Sequence, residues 1–144
     1  LENSAPDVVE GMLGAIPFPP IDSQEYQRFA DLYTTTFDDT PPESYGDATY
    51  DAVYLAALAL QHAGVVDGAQ MATSLQSVSD GGTHVVPGEF ARARDLISSH
   101  TDIDYKGASG DVDFDENGDI LSGTYRIWRV ANGSFSVVET VAFP

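Results

Sequence analysis

Cysteine is absent from the 144 residues, which excludes thiol catalysis, cysteine-based zinc or iron–sulfur sites and structural disulfides. Basic residues are almost as scarce. Six Lys plus Arg, with Lys106 the one lysine, stand against 23 Asp plus Glu, for a formal charge of −17. A surface of that sign repels phosphate backbones and anionic headgroups, so nucleic acid is rejected as a partner. No apolar run approaches the roughly 20 residues needed to span a bilayer. A Gly-x-Ser-x-Gly elbow is missing, and Gly107–Gly110, GASG, lacks the Lys-Ser/Thr of a phosphate loop. His62, His84 and His100 are too far apart for a local metal pair and have no neighbouring carboxylate partner in sequence. No nucleophile, base and orienting partner can be assembled, so we expect no enzyme, no catalytic residue and no cofactor.

What is present is enough for one ordinary domain, with 42% hydrophobic residues. Val8 to Ile16, apolar and β-branched at its ends and stopped by Pro17, Pro19 and Pro20, reads as a buried strand with Glu10-Gly11 set inside it. Asp22 with Glu25 is a capping-box-like start for a helix whose Tyr26, Phe29, Ala30, Tyr33 and Phe37 share one face. Phe37 to Ser44, FDDTPPES, breaks that pattern and reads as a linker or crossing. Ala48 to Ala63 carries apolar residues on several faces, which predicts a helix buried nearly all round, ended by Gly64. Asp51 near its first turn suits the helix dipole. Asp67 starts a shorter helix, His84–Pro87 is a short strand, and Glu89–His100 is a further helix. This alternation predicts an α/β domain with a mainly parallel sheet.

The segment Tyr105–Val130 supports two readings. Asp113, Asp115, Asn117 and Gly118 have the oxygen spacing of a calcium loop, but the twelfth position, where a bidentate Glu belongs, is Thr124. Asn117-Gly118 is also a hairpin signal, as is Asn132-Gly133 between the alternating segments that follow. A turn is favoured over a metal site, and no metal ligand is assigned.

Three stretches then carry a family resemblance. VEGMLGAIP (Val9–Pro17), TYDAVYLAALALQHAG (Thr49–Gly64) and the closing run DYKGASGDVDFDENGD (Asp104–Asp119) with YRIWRV (Tyr125–Val130) resemble the C-terminal part of the substrate-binding proteins of branched-chain amino acid ABC importers, in the type I periplasmic-binding-protein family. The resemblance implies a two-lobed α/β fold with parallel sheets flanked by helices and a terminal β-hairpin. By analogy residues 1–40 end the second lobe, 41–121 return to the first, and 122–144 supply the final crossing strand and hairpin of the second.

The resemblance further implies an extracytoplasmic protein, periplasmic or held at the cell surface by a lipid anchor on a preceding segment, that captures a branched-chain or related amino acid by lobe closure and delivers it to a membrane permease. Glu10 matches the acidic residue that takes the ligand's α-ammonium, with Gly11 permitting close backbone approach. Tyr45 and Tyr50 are weaker ligand-binding candidates. The abrupt start at Leu1 leads us to expect an excerpt holding half a site, which by itself binds no amino acid measurably. Two alternatives stand beside this: a ligand-sensing domain of the same fold in a receptor, and a calcium-stabilised secreted structural module.

With so few cations available to pair 23 carboxylates, self-repulsion is relieved by added salt, as in halophile proteins. The melting temperature is therefore expected to climb between low salt and molar KCl. A flat profile removes the salt-adapted reading.

Overall fold

A computed structural model describes residues 6–143. They form two compact units, one from the residues up to Phe18 together with those from Gly123 on, the other from Pro19 to Ser122. The proline-rich break Phe37–Ser44 lies inside the larger unit, and both chain junctions fall elsewhere.

In the smaller unit a short helix α1 (Pro6–Val9) leads into strand β1 (Leu13–Pro17). The expected buried strand Val8–Ile16 is thus corrected. Val8 and Val9 are helical, Gly11 takes a positive φ of 82° that breaks the run, and β1 alternates exposed and half-buried residues.

The larger unit opens with helix α2 (Gln24–Thr36). Its N-cap is Ser23, not Asp22. The Pro20 carbonyl accepts the Ser23 N–H at 2.8 Å, and the turn this closes puts the Ser23 hydroxyl where it accepts the Tyr26 N–H at 3.0 Å. The aromatic stripe is core packing, with Phe29 buried and meeting Tyr26 and Tyr33 edge-on.

Helix α3 (Gly46–Ala63) ends on Gly64 at φ 67°, the left-handed stop expected of a glycine. It buries one face and not its whole girth. Tyr54, Leu55, Leu58 and Ala59 are inside, while Val53 is 67% exposed. Helix α4 (Gly68–Ser79) is capped by the Asp67 carboxylate on the Gln70 N–H. Strand β2 (Thr83–Val85), helix α5 (Phe90–Ser98), strand β3 (Ile103–Gly107) and the two-residue β4 (Gly110–Asp111) complete the unit.

One sheet is mixed and the other antiparallel, where a mainly parallel sheet was expected. Strands β2 and β3 pair in parallel and β3 and β4 antiparallel. One core sits between this sheet and the helices, built on Leu55, Leu58, Val78, Val85, Ala93, Ile103 and Tyr105.

The chain returns to the smaller unit as strand β5 (Gly123–Ala131), which lies between β1 and the last strand β6 (Ser134–Phe143) in an antiparallel sheet. The terminal hairpin turns on Asn132-Gly133 as predicted, both with positive φ (53° and 72°), the geometry of a two-residue type I′ turn. No single helix among the described residues is long and apolar enough to cross a membrane.

Leu58 is fully buried, so Leu58→Ala is expected to cost about 2–5 kcal/mol in chemical denaturation. Val53→Ala, on the exposed side of the same helix, is expected to stay within about 0.5 kcal/mol of the parent. Equal losses would contradict the one-sided burial of α3.

Candidate functional site

Glu10 stands where α1 gives way to β1, beside the tip of the terminal hairpin. The Met12 N–H bonds the Val9 carbonyl at 3.1 Å, closing the turn. The Gly11 N–H donates to the Val130 carbonyl and the Val130 N–H to the Met12 carbonyl, both at 2.9 Å, tying the segment to β5. The Glu10 carboxylate then accepts the Asn132 N–H on Oε1 at 3.0 Å and the Gly133 N–H on Oε2 at 3.3 Å. Its side chain is exposed. Gly11 is required by its positive φ; a Cβ there would meet nothing within 4 Å, so the space beside Glu10 is open.

Tyr45 and Tyr50 come together in the larger unit, where they line one groove of about 770 Å³ with Phe29, Tyr33, Phe37 and Phe90. Tyr45 precedes α3 in a left-handed conformation, φ 65°, and is 54% exposed. Tyr50 is held more tightly. Its hydroxyl accepts the Gly88 N–H at 3.1 Å and its ring stacks on Tyr54, with Phe29 also in contact. Burial raises its pKa above the ordinary tyrosine value. Glu10 and Gly11 belong to the other unit.

The strongest polar construction is one that sequence reasoning assigned only to a helix dipole. Asp51, 2% exposed, accepts four hydrogen bonds. Oδ1 takes the Tyr105 hydroxyl at 2.8 Å and the Ala108 N–H at 3.0 Å, while Oδ2 takes the Ser109 N–H at 2.7 Å and the Ser109 hydroxyl at 2.6 Å. The GASG loop is therefore an anion cradle whose anion is internal. Gly107 must be glycine here, because a Cβ would lie 2.5 Å from Asp51 Oδ2. The signal was available in two oddities that explain each other: a carboxylate in an apolar helix and a glycine-rich loop with no phosphate-loop lysine.

Lys106, next in the chain, lies 3.3 Å from Asp104, 3.1 Å from Asp111 and 3.5 Å from Asp113. Burial alone would lower its pKa. Hydrogen bonds to Asp111 and Asp104, with their charges, outweigh that and hold it above the ordinary lysine value. Asp113 is pushed up by burial despite the lysine. Asp115 is pulled down by the Asp119 and Asn117 N–H groups, which its Oδ1 accepts at 2.9 and 2.8 Å. Asp115 is thus bonded within its own turn, Asp113 faces the Lys106 ammonium without a hydrogen bond to its buried Oδ1, and Asn117-Gly118 forms a tight turn closed by a Phe114–Ile120 bridge.

The histidines need one correction. His84 Nε2 lies 3.3 Å from Asp104 Oδ2, a carboxylate partner brought by the parallel β2–β3 pairing and not by sequence proximity. His62 Nδ1 is 3.0 Å from the Ser74 hydroxyl.

Helices on a mixed sheet in one unit and a three-stranded antiparallel sheet in the other agree with part of a type I periplasmic-binding-protein fold. The chain belongs to the receptor family ligand binding region, whose family model matches residues 2–133. It is 43% identical over 77 residues to the chemotactic signal transduction system substrate-binding protein BasB of Halobacterium salinarum, a match covering 53% of this chain and 19% of that protein. Its fold matches the crystal structure of the leucine binding protein LivK of Thermotoga maritima, with a TM-score of 0.56 and 21% identity over 95% of this chain and 34% of that one. The chain thus spans about a fifth of the first relative and a third of the second. Both relatives are named as binding proteins.

Truncating Tyr105→Phe removes one bond to a buried carboxylate and is expected to cost about 1.5–3 kcal/mol. Asp51→Ala strands every donor of the cradle and is expected to cost more. In the double variant the two losses should fall short of additive by about 0.5–3 kcal/mol. Full additivity in urea unfolding would rule out the clasp.

Proposed function

We propose that this chain is the C-terminal part of an extracytoplasmic solute-binding protein that captures a branched-chain or related amino acid by lobe closure and serves an ABC importer. In this reading the smaller unit belongs to the second lobe and the larger unit to the first. The permease is the macromolecular partner, and the ligand is a small polar solute.

The observation that carries the reading is the Glu10 carboxylate, exposed yet fixed, at the position the family resemblance gives to the ligand's α-ammonium. A carboxylate has about four lone-pair sites, so two N–H donors leave capacity for an ammonium. In a closing, water-excluding cleft that contact is charge-assisted and strong. Tyr50 is better understood as packing, given its bond to Gly88. Tyr45, half-exposed beside the apolar groove, is the tyrosine free to meet a ligand.

A second reading, a sensor of the same fold, is favoured by one finding. The relative from Halobacterium salinarum is named for a chemotactic signal transduction system. Impaired amino-acid uptake in a deletion strain supports the importer, and impaired chemotaxis with intact uptake supports the sensor.

Calorimetry of the full-length polypeptide against the twenty amino acids, with Glu10→Gln alongside, tests the ligand contact. Breaking such a pair typically costs about 2–5 kcal/mol, so the variant is expected to bind at least about 30-fold more weakly. Equal affinity for both forms would take the role away from Glu10.

A further inference from the structure

We infer that the outward side of α3, running from Val53 through Leu60 to Val66, is a seam on which another stretch of the same polypeptide packs, so that two separated pieces of chain share one hydrophobic core. This rests on the reading of residues 1–144 as part of a longer solute-binding protein. It names the surface where the remainder meets this part.

Helix α3 is apolar on two sides. One carries Leu55, Leu58 and Ala59 into the core of the larger unit, and the other leaves Val53 and Leu60 at the surface. Two grooves run along that second side: the aromatic one of about 770 Å³, and one of about 430 Å³ lined by Leu60, Val65 and Val66. Ala57 and Phe90 belong to both, which makes them one continuous face. Val66, in the connection between α3 and α4, is 88% exposed. Apolar faces of this extent on a folded body mark surfaces that meet something.

The charge pattern says what kind of surface it is. The chain holds 23 Asp plus Glu, yet Glu43 is the one charged residue lining either groove. Carboxylates enclosed in a seam need cations beside them, and six Lys plus Arg could not supply many. An acid-poor window in so negative a surface therefore fits enclosure and not exposure. Tyr54, which lines the larger groove, agrees. Its hydroxyl is buried without a hydrogen-bond partner among the described residues, the state of a group whose complement lies on another segment.

The occupant follows from charge and from length. A second copy would set another −17 against the first, a repulsion that works against self-association. The similarity to the leucine binding protein takes in 95% of this chain and 34% of that one, so a polypeptide of that fold has further chain of its own to lay over the face. Being tethered, that chain docks at high effective concentration, without the cost of bringing two molecules together. Within residues 1–144 alone the face stays open, and Val53→Ala is near neutral there. In the full-length protein Val53 is enclosed.

The test is thiol labelling of the full-length polypeptide, freed of any other cysteine, with Val53→Cys, Val66→Cys and, as an open control on α5, Asp95→Cys. Each native labelling rate is compared with that of the same variant unfolded in urea. Val53→Cys and Val66→Cys are expected to label at least about 100-fold more slowly when folded, and Asp95→Cys within about tenfold of its unfolded rate. Folded rates like that of Asp95→Cys at both positions overturn the seam, and the solute-binding reading still stands if calorimetry finds an amino acid bound. Protection with no amino acid bound keeps the seam and removes the ligand reading. Protection that disappears on dilution, together with a dimer mass, assigns the face to a second copy and overturns the inference. Should a cysteine variant fail to fold, hydroxyl-radical oxidation of the unsubstituted protein decides. Val53 and Val66 modified at least about tenfold less than in urea supports the seam, and equal modification overturns it.

Discussion

The larger unit depends on one buried charge. Asp51 leaves α3 to enter the loop after β3, and its four accepted hydrogen bonds fasten the central helix to the end of the strand it packs against. A carboxylate out of water is costly unless each lone pair is met. Here that cost makes the arrangement single-valued. The GASG loop supplies two N–H groups and the Ser109 hydroxyl, and β3 adds the Tyr105 hydroxyl, so the placement of β3 against α3 is fixed by these bonds together with the apolar packing around them. Tyr105 joins the two, stacking its ring on Tyr54 while its hydroxyl reaches Asp51. Burial and the adjacent carboxylate raise its pKa far above the tyrosine norm, so it stays a donor.

The same logic governs the charged surroundings of the chain's one lysine. Lys106 shares its ammonium among three carboxylates, and the strand that carries it also positions Asp104 against His84. In a chain with a formal charge of −17, a single cation spread over several acids near the core does more than the same cation in a surface pair, because screening by solvent is weaker there. Asp115 in the following turn is dealt with differently, by the backbone N–H groups of Asn117 and Asp119. The Gln76 side-chain amide, donating to the Asp115 carbonyl, holds that turn to α4.

Much of this was legible in the sequence, for physical reasons that differ by element. Helices α2 to α5 announce themselves through apolar spacing and caps, and Gly64, Asp67 and Asn132-Gly133 do what their backbone preferences dictate. The departures arise where local pattern underdetermines geometry. An apolar run cannot say which of several faces a helix will bury, so Ala48–Ala63 reads as buried nearly all round while Val53 lies outside. A β-branched run cannot announce that a glycine within it will take φ 82°, so the first strand starts at Leu13 and not at Val8. Contacts between residues far apart in sequence were the least visible. Asp51 with Ser109, His84 with Asp104 and Glu10 with Gly133 each need the fold before they exist. The candidate site shows both sides of this: Glu10 was named from its motif, yet the donors that hold it were not.

The smaller unit is assembled from the two ends of the described chain, with the whole larger unit threaded between them. Pairing of β1 with β5, Leu13 opposite Arg129, closes a loop of more than a hundred residues, and closure of that length is entropically unfavourable until something shortens it. Folding of Pro19–Ser122 into a compact body does so by drawing in the intervening chain, and the β5–β6 hairpin, being local, needs no such help. Within the described residues the pairing of β1 with β5 is thus the strand pairing with the longest loop to close, and the turn that holds Glu10 depends on it.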